Sequence, residues 1–165
     1  LGRFTPRVHL CLSAKSLRER NLVDAAISKV LHEECRSEFE AMGILGEYIP
    51  FAQFVRHKYL IDIDGYYCAW ESMFLKLSST SVVLKVQSDY EQWYYDRLVP
   101  WEHYIPVQHD LSDLETRVVW AREHDRACQQ IAANAQLLMA SLSFGHGLID
   151  FGATVARILS SQDDG

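Results

Sequence analysis

The stretch of residues 58–85 constrains the fold more than any other part of the chain. It opens with a run of β-branched and aromatic residues at 59–63, which predicts a buried strand. Asp64 and Gly65 break this run, a helical segment of about three turns follows, and residues 81–86 predict a second strand. Because two strands joined through a helix must lie parallel, this stretch predicts an α/β fold.

The loop that leaves the first strand, residues 64–72, is predicted to face a ligand. In open α/β sheets, ligands bind at the carboxyl edge, where this loop would lie. The amino terminus of the following helix presents unpaired N–H groups and a partial positive charge, which suit a phosphate. Gly65 is the only glycine there, so the loop lacks a G-x-G-x-x-G fingerprint, and an ordinary turn is the alternative interpretation.

The flanking segments predict the rest of an α/β layer. In chain order they are a strand at 7–12, a helix at 22–42, a short helix at 51–55, a short helix or turn at 90–98, and a third parallel strand at 103–107. Asn21 is predicted to be the N-cap of the helix at 22–42. The alternation of strands and helices predicts one Rossmann-like domain over residues 1–165.

Three further helices are predicted after the third strand. They are a helix ending near His124, a helix at 126–142, and a last helix at 148–159 followed by a frayed tail at 162–165. Asp110 or Ser112 is expected to cap the first of them, since Glu115 completes an S-x-x-E capping box with Ser112. Asp125 is expected to cap the second.

Length and charge limit the classes of function. A chain of 165 residues fits one domain, and its net charge of −6 argues against an extended nucleic-acid surface. No window reaches the roughly 18 apolar residues that a spanning helix needs. The sequence begins with Leu1 and shows no signal-peptide pattern, so we expect a piece of a larger protein whose targeting segment lies outside it.

The four cysteines do not predict a metal site. Cys11, Cys35, Cys68 and Cys128 are far apart and form no C-x-x-C pair, which argues against zinc. Buried or half-buried thiols are the simplest interpretation. One or two disulfides would form if the protein is secreted, with a pairing that the sequence does not give.

Four sequence blocks resemble a known family. In chain order they read KYLIDIDG, WESMFLKL, SVVLK and QWYYDRLVPWEHYIPVQHDLSD. Their order and spacing are similar to those of the glycosyltransferases of family 90, which include the capsule-associated proteins and the Rumi-type protein O-glucosyltransferases. The resemblance covers residues 6–139 and is dense over 58–114, where W-x-H-Y-x-P-V followed by D-L-S-D-L is the most specific part.

The resemblance implies a function for the domain. It would be the carboxyl-terminal donor-binding lobe of a two-lobed GT-B-type glycosyltransferase, which binds a UDP-sugar and passes the sugar to a hydroxyl group of a glycan or protein. Members of this class work without a metal, so no cofactor is expected. The family's catalytic base lies in the amino-terminal lobe. The resemblance therefore implies no catalytic residue in this chain, and the lobe is expected to turn over nothing alone. The resemblance also implies the endoplasmic reticulum or Golgi lumen if the chain is eukaryotic.

The candidate substrate-binding residues combine this resemblance with the pattern. They are Asp64, Gly65, Trp70 and Ser72 in the loop and helix start, Lys85 on the second strand, His103 at the third, and Asn134 and Gln136 in a helix. Lys76 or Lys85 would supply a cation to the donor diphosphate, and Asn134 or Gln136 would bind its base or ribose. Asp62 and Asp64 face one side of a strand and would form a carboxylate pair, although Asp64 is better interpreted as a turn cap.

One departure from the family supports a second class of function. Many family members carry an arginine near the start of the helix, placed to pair with the donor diphosphate, and this chain has Ser72 there, beside Glu71. A non-catalytic Rossmann-like binding or structural module that has lost this arginine is therefore the alternative. His103 is likewise open to a structural interpretation. An unrelated Rossmann-like nucleotide binder would require the order of the blocks to be chance.

Overall fold

The computed structural model describes residues 5–65 and 67–142 and shows a parallel sheet between helices. In chain order the regular elements are α1 (Pro6–Glu19), α2 (Arg36–Ala41), α3 (Phe51–Phe54), β1 (Tyr59–Asp62), α4 (Trp70–Leu77), β2 (Val82–Val86), β3 (Ile105–Val107), α5 (Leu114–Glu123) and α6 (Asp125–Ser141). Short 3₁₀ turns at Glu33–Cys35 and Tyr95–Arg97 complete the described part. The predicted α/β class is confirmed.

The three strands lie in the order β1-β2-β3 and all pairs are parallel. Tyr59 pairs with Val82 and Leu84 pairs with Ile105, so the strands end together on one side. This arrangement confirms the strands predicted at 59–63, 81–86 and 103–107 and the helical crossover between the first two of these three. The loops after β1, β2 and β3 therefore share one carboxyl edge.

Each face of the sheet is covered by helices. Alternate strand residues Leu84 and Val86 pack against α1 and α5 in one buried cluster. Val83 points to the other face, where it packs with Met73 and Leu77 of α4 and with the second half of α6. Burying each of these large apolar side chains stabilises the fold by about 1.5–3 kcal/mol. Because side chains alternate along the strands, both faces of the sheet bury apolar residues against helices.

The predicted strand at 7–12 is wrong, because these residues form the first half of α1. Val8 and Cys11 pack against Ile44 on one side of the helix, while Leu10 packs against the sheet on the other. A helix with two buried sides mimics the alternation of a strand over six residues. The helical period becomes visible only when the window extends through Ala14 and Leu17.

The predicted helix at 22–42 is also wrong over its first half. Residues 22–31 are irregular and contain a parallel bridge between Ile27 and Leu45. Asn21 adopts a φ of 54° and follows the end of α1 instead of capping a new helix. Only α2 and the 3₁₀ turn before it remain of the predicted element.

Smaller differences concern helix ends. α4 has eight residues, about two turns, and not three. The predicted capping box does not form, because Asp113 is the N-cap of α5 and Glu115 pairs with Arg20 at 2.6 Å. α6 is confirmed with buried Cys128, but Asp125 is its first residue and His124 its N-cap, so the predicted Asp125 cap is wrong. The predicted helix at 148–159 and the tail at 162–165 lie outside the described residues.

Candidate ligand site at the carboxyl edge of the sheet

The loop after β1 is closed by its own residues. A carboxylate oxygen of Asp64 accepts a hydrogen bond from the Ala69 backbone N–H at 2.5 Å, and Asp64 is 4% exposed. The Gly65 N–H donates to the Tyr67 carbonyl at 3.0 Å. The turn-forming role predicted for Asp64 is therefore present, and it fixes the loop directly before α4.

α4 begins at this edge. Trp70 is its first residue, and the Trp70 side chain lies outside the described part of the chain. Ser72 is half-buried in the first turn. Because N–H groups in a helix's first turn have no partner within the helix, this end of α4 presents hydrogen-bond donors toward the loop.

Arg7 of α1 is a cation at this edge that the sequence patterns did not indicate. Its Nε donates to the Ile63 carbonyl at 3.4 Å, and a Cβ atom at Gly65 would lie 3.3 Å from its Cζ. The side chain is otherwise exposed. A strand at residues 7–12 would not place Arg7 beside the loop after β1. Only the correct assignment of α1 brings its first turn to the end of β1.

Lys76, one of the two lysines considered for the diphosphate, is engaged elsewhere. Its Nζ lies 2.8 Å from Asp62 Oδ1 and donates to the Ile61 carbonyl at 3.0 Å. The side chains of Lys76 and Asp62 are 8% and 1% exposed. This buried ion pair ties α4 to β1, and it leaves Lys76 unavailable to a donor diphosphate.

Lys85 lies at the floor of a cavity of about 630 Å³ at the ends of β2 and β3. The residue is 8% exposed, and its Nζ sits 4.5 Å from the ring centroid of Tyr95. Polar residues that follow the two strands form the rim, among them Gln87 and His109, which are joined by a 3.1 Å hydrogen bond. The cavity is thus a concave polar surface on the edge where the fold places ligands.

Two phenols lie next to this cavity with unsatisfied hydroxyl groups. The hydroxyls of Tyr94 and Tyr95 are buried, and neither has a hydrogen-bond partner among the described residues. Burial raises the pKa of both, and the carboxylate of Asp62 adds to the shift. The Tyr95 hydroxyl approaches that of Tyr94 and partly offsets the rise of its pKa, without the geometry of a hydrogen bond. Both phenols remain neutral donors at neutral pH.

His103 is not brought to this site. It precedes β3, at the amino edge of the sheet, and its Nδ1 accepts a hydrogen bond from the Val99 backbone N–H at 3.0 Å. The side chain is 11% exposed. This contact favours the structural interpretation of His103 within the turn of residues 99–103. Its assignment to the donor site stays a prediction without geometric support.

The two amide side chains of α6 also lie at the amino edge. Asn134 donates to the Glu102 carbonyl at 3.2 Å, and Gln136 donates to the Ser78 carbonyl at 3.3 Å. Glu102 precedes β3 and Ser78 precedes β2. The structure therefore brings Asp64, Gly65, Ser72 and Lys85 to the carboxyl edge, whereas Asn134 and Gln136 lie at the opposite one.

The described residues contain neither a candidate metal cluster nor a candidate membrane-spanning helix. In residues 5–65 and 67–142, no group of three or more His, Cys, Asp or Glu side chains is arranged to hold a metal ion. Over the same residues, no helix has the length and apolar character needed to cross a membrane. All four cysteines are free thiols, and Cys11 and Cys128 are buried.

The parallel sheet, its helical crossover and its polar carboxyl edge define the chain as a Rossmann-like α/β lobe. Comparison with protein families then identifies the family of the chain. The model of Glycosyl transferase family 90 matches residues 3–144, and the chain belongs to this family. The resemblance derived from the sequence blocks is confirmed.

Similar proteins include several protein O-glucosyltransferases. Protein O-glucosyltransferase 3 of Homo sapiens is 34% identical over 148 residues, which are 89% of this chain and 28% of that protein. Protein O-glucosyltransferase 2 of Danio rerio is 34% identical over 138 residues, covering 82% of this chain and 26% of that protein. The chain thus spans only slightly more than a quarter of the length of these relatives.

Proposed function

We propose that this chain is the donor-binding lobe of a GT-B-type glycosyltransferase. It binds a UDP-sugar at the carboxyl edge of the sheet, and the complete protein passes the sugar to a hydroxyl group of a protein or glycan. Family membership and relatives named protein O-glucosyltransferases support glycosyl transfer. An amino-terminal lobe that supplies the base for the attacking hydroxyl is part of the same proposal.

The contact between Arg7 and Gly65 is the observation that carries this proposal. It puts a guanidinium group beside the loop that precedes α4. The N–H groups in the first turn of that helix have no partner within the helix. A planar guanidinium can donate two parallel hydrogen bonds to phosphate oxygens, and a helix amino terminus adds partial positive charge. Arg7 therefore takes the role of the arginine that is replaced by Ser72.

The same contact weakens the alternative of a non-catalytic module. That alternative depends on the absence of a diphosphate cation near Ser72 and Glu71. Arg7 provides such a cation from a different element. The module alternative would regain support if Arg7 contributed nothing to the binding of a nucleoside diphosphate.

Isothermal titration of the 165-residue chain with UDP tests the proposal. We expect weak but measurable binding, and Arg7→Gln should weaken it about tenfold, since a charge-assisted hydrogen bond contributes about 1.5–3 kcal/mol. Arg126→Gln is the matched control, because Arg126 is an exposed residue at the start of α6, which begins at the opposite edge of the sheet. Its affinity for UDP should equal that of the unmodified chain.

A gain-of-function variant distinguishes the two classes of function. Ser72→Arg restores a cation in the first turn of α4, so UDP affinity should rise if a diphosphate binds there. Absence of binding by the unmodified chain and by Ser72→Arg, with UDP, GDP and ADP alike, would contradict the proposed function and favour the module.

A further inference from the structure

Another cavity, of about 350 Å³, lies between α4 and the loop that follows β2. Its lining consists of Glu71, Phe74, Leu75, Gln92, Trp93 and Tyr94. Gln92 joins the cavity to the carboxyl edge, because its amide donates to the Cys68 thiol at 2.9 Å. Cys68 belongs to the loop after β1, whose Gly65 lies against Arg7. The cavity and the proposed diphosphate position thus share this loop.

Aromatic rings form one wall of this cavity and hold one another in place. Tyr94 is 2% exposed and packs edge-on against Phe74, with ring centroids 5.6 Å apart, and against Trp93, at 5.5 Å. Trp93 is nevertheless 46% exposed, and Leu75, which also lines the cavity, is 42% exposed. Because a ring that is already fixed loses little freedom when a ligand packs on it, this wall is a preorganised apolar surface.

The polar groups at the cavity select a neutral ligand with hydroxyl groups. Glu71 contributes an exposed carboxylate, which accepts hydrogen bonds, and Gln92 contributes an amide. The described lining residues carry no cation, so the cavity does not suit a phosphate or a carboxylate ligand. A pyranose ring has hydroxyl groups around its edge and C–H bonds on its faces, which pack on an indole as other apolar surfaces do. An aliphatic peptide side chain would use the rings alone, whereas a sugar uses the rings and both polar groups.

We propose that this cavity binds a sugar ring of the acceptor, so that the acceptor hydroxyl belongs to a glycan. The ring packs on Trp93, one hydroxyl group donates to Glu71, and the second N–H of the Gln92 amide donates to another. A sugar with equatorial hydroxyl groups fits best, since such groups leave both ring faces flat. The volume of about 350 Å³ is at the lower end of small-molecule sites and accommodates a single ring.

The inference rests on the proposed function and names the class of its acceptor. In the complete protein, the acceptor oxygen forms the new glycosidic bond while the bond from the donor sugar to UDP breaks. UDP leaves with the electron pair of that bond, and the proton of the acceptor hydroxyl goes to the base of the proposed amino-terminal lobe.

Titration of the 165-residue chain with cellobiose, a disaccharide of glucose units with equatorial hydroxyl groups, tests the inference. We expect weak binding, in the millimolar range, that shifts the NMR signal of the Trp93 indole N–H. Sorbitol, an open-chain polyol without a ring face, should not bind. Cellobiose should bind equally well at saturating UDP or UDP-glucose, because the acceptor and the donor occupy different positions.

Two variants test the residues named. Trp93→Ala removes the ring surface and should weaken cellobiose binding about tenfold, with UDP affinity unchanged. Glu71→Gln replaces a charged acceptor by a neutral group of the same shape and should weaken cellobiose about threefold. Tyr48→Ala is the matched control and should change nothing, because Tyr48 is 75% exposed, lies between α2 and α3, and does not line the cavity. Glu71→Gln alters only an exposed side chain, so it tests the inference even if Trp93→Ala does not fold.

The outcomes separate this inference from the proposed function. If the unmodified chain binds UDP but not cellobiose, or if both variants bind cellobiose as tightly as it does, the acceptor site is overturned while donor binding stands. Displacement of cellobiose by UDP-glucose but not by UDP would assign the cavity to the donor sugar instead. Binding of N-acetyl-leucinamide in place of cellobiose, lost in Trp93→Ala, would make the cavity a peptide site. Cellobiose binding by a chain that binds no nucleotide would contradict the proposed function and, with it, the acceptor role.

Discussion

Arg7 and Gly65, far apart in the sequence, are in contact at the carboxyl end of β1. A Cβ atom on Gly65 would lie 3.3 Å from both Cζ and Nε of Arg7, so the absence of a side chain at Gly65 lets the guanidinium approach the loop. The position of α1 makes this contact possible, because Val8 and Leu10 of its first turns are buried on opposite sides of the helix. Gly65 thus leaves room for the Arg7 guanidinium and also forms part of the turn.

Gly65→Ala should separate these two roles. The new methyl group would meet the side chain of Arg7, which can shift by a few tenths of an ångström, so folding should be preserved. Replacing a glycine also restricts the unfolded chain, which stabilises by about 0.4–1 kcal/mol where the backbone permits it. We therefore expect unchanged or higher stability in urea denaturation and a loss of UDP affinity in titration. Equal UDP affinity for both proteins would argue against Arg7 as a diphosphate ligand.

The buried pair of Lys76 and Asp62 leads to a prediction about stability. Lys76→Met leaves the Asp62 carboxylate buried without its partner, which should cost about 3–5 kcal/mol in the free energy of unfolding. Replacing both residues, with Asp62→Leu added, removes the unpaired charge and should recover most of the loss. Urea denaturation followed by circular dichroism measures both. If the double variant is as unstable as the single one, the cost of Lys76→Met does not come from leaving the Asp62 charge unpaired.

The centre of the fold was predictable because its signals are local. The apolar run ending at Asp62, the break at Gly65 and the second apolar run specify two strands and a crossover within a short stretch. The connection then requires parallel pairing, whatever the rest of the chain does. The prediction for residues 7–42 was wrong because the structure of this segment depends on partners that are distant in the sequence. Ile27, for example, is held by its bridge to Leu45 and not by a helical neighbour.

The candidate site was predictable only in part, for a related reason. Strand ends locate the carboxyl edge, so Asp64, Gly65 and Lys85 follow from the sequence once the strands are known. Arg7 depends on the packing of α1 across the sheet, which no local pattern indicates. Asn134 illustrates the opposite error, because the residues of a helix do not show which edge of the sheet the helix follows, and Asn134 contacts the Glu102 carbonyl at the amino edge.

His103 offers a test of the structural interpretation. His103→Phe removes the acceptor of the Val99 N–H and should lower stability by about 0.5–1.5 kcal/mol, with no change in UDP affinity. His103→Asn keeps a side-chain acceptor at a similar reach and should recover part of the stability. Thermal denaturation and titration together check this. A selective loss of UDP binding in His103→Phe, at unchanged stability, would instead support a role in the donor site.

Removing the hydroxyl group of Tyr94 should raise the stability of the fold, whereas His103→Phe should lower it. Its hydroxyl is buried without a partner in the described part, while its ring packs edge-on against Phe74 at 5.6 Å. Tyr94→Phe keeps the ring and should stabilise the fold by about 1 kcal/mol, since an unsatisfied buried hydroxyl is unfavourable. Tyr59→Phe is the control, because the Tyr59 hydroxyl donates to the Ala121 carbonyl at 3.2 Å and its loss should destabilise.

The pH dependence of Tyr94→Phe follows from the pKa of the phenol. Burial raises the pKa of Tyr94 above its ordinary value of 10.0, so the unfolded chain loses this proton at lower pH than the folded chain does. The contribution to stability is therefore complete below pH 10 and is lost as the pH rises through the folded pKa. Phenylalanine has no proton to lose, so the advantage of Tyr94→Phe over the unmodified chain should grow above pH 10. Urea denaturation at pH 8 and pH 10.5 measures it; an advantage that shrinks at the higher pH would mean that the folded state accommodates the phenolate.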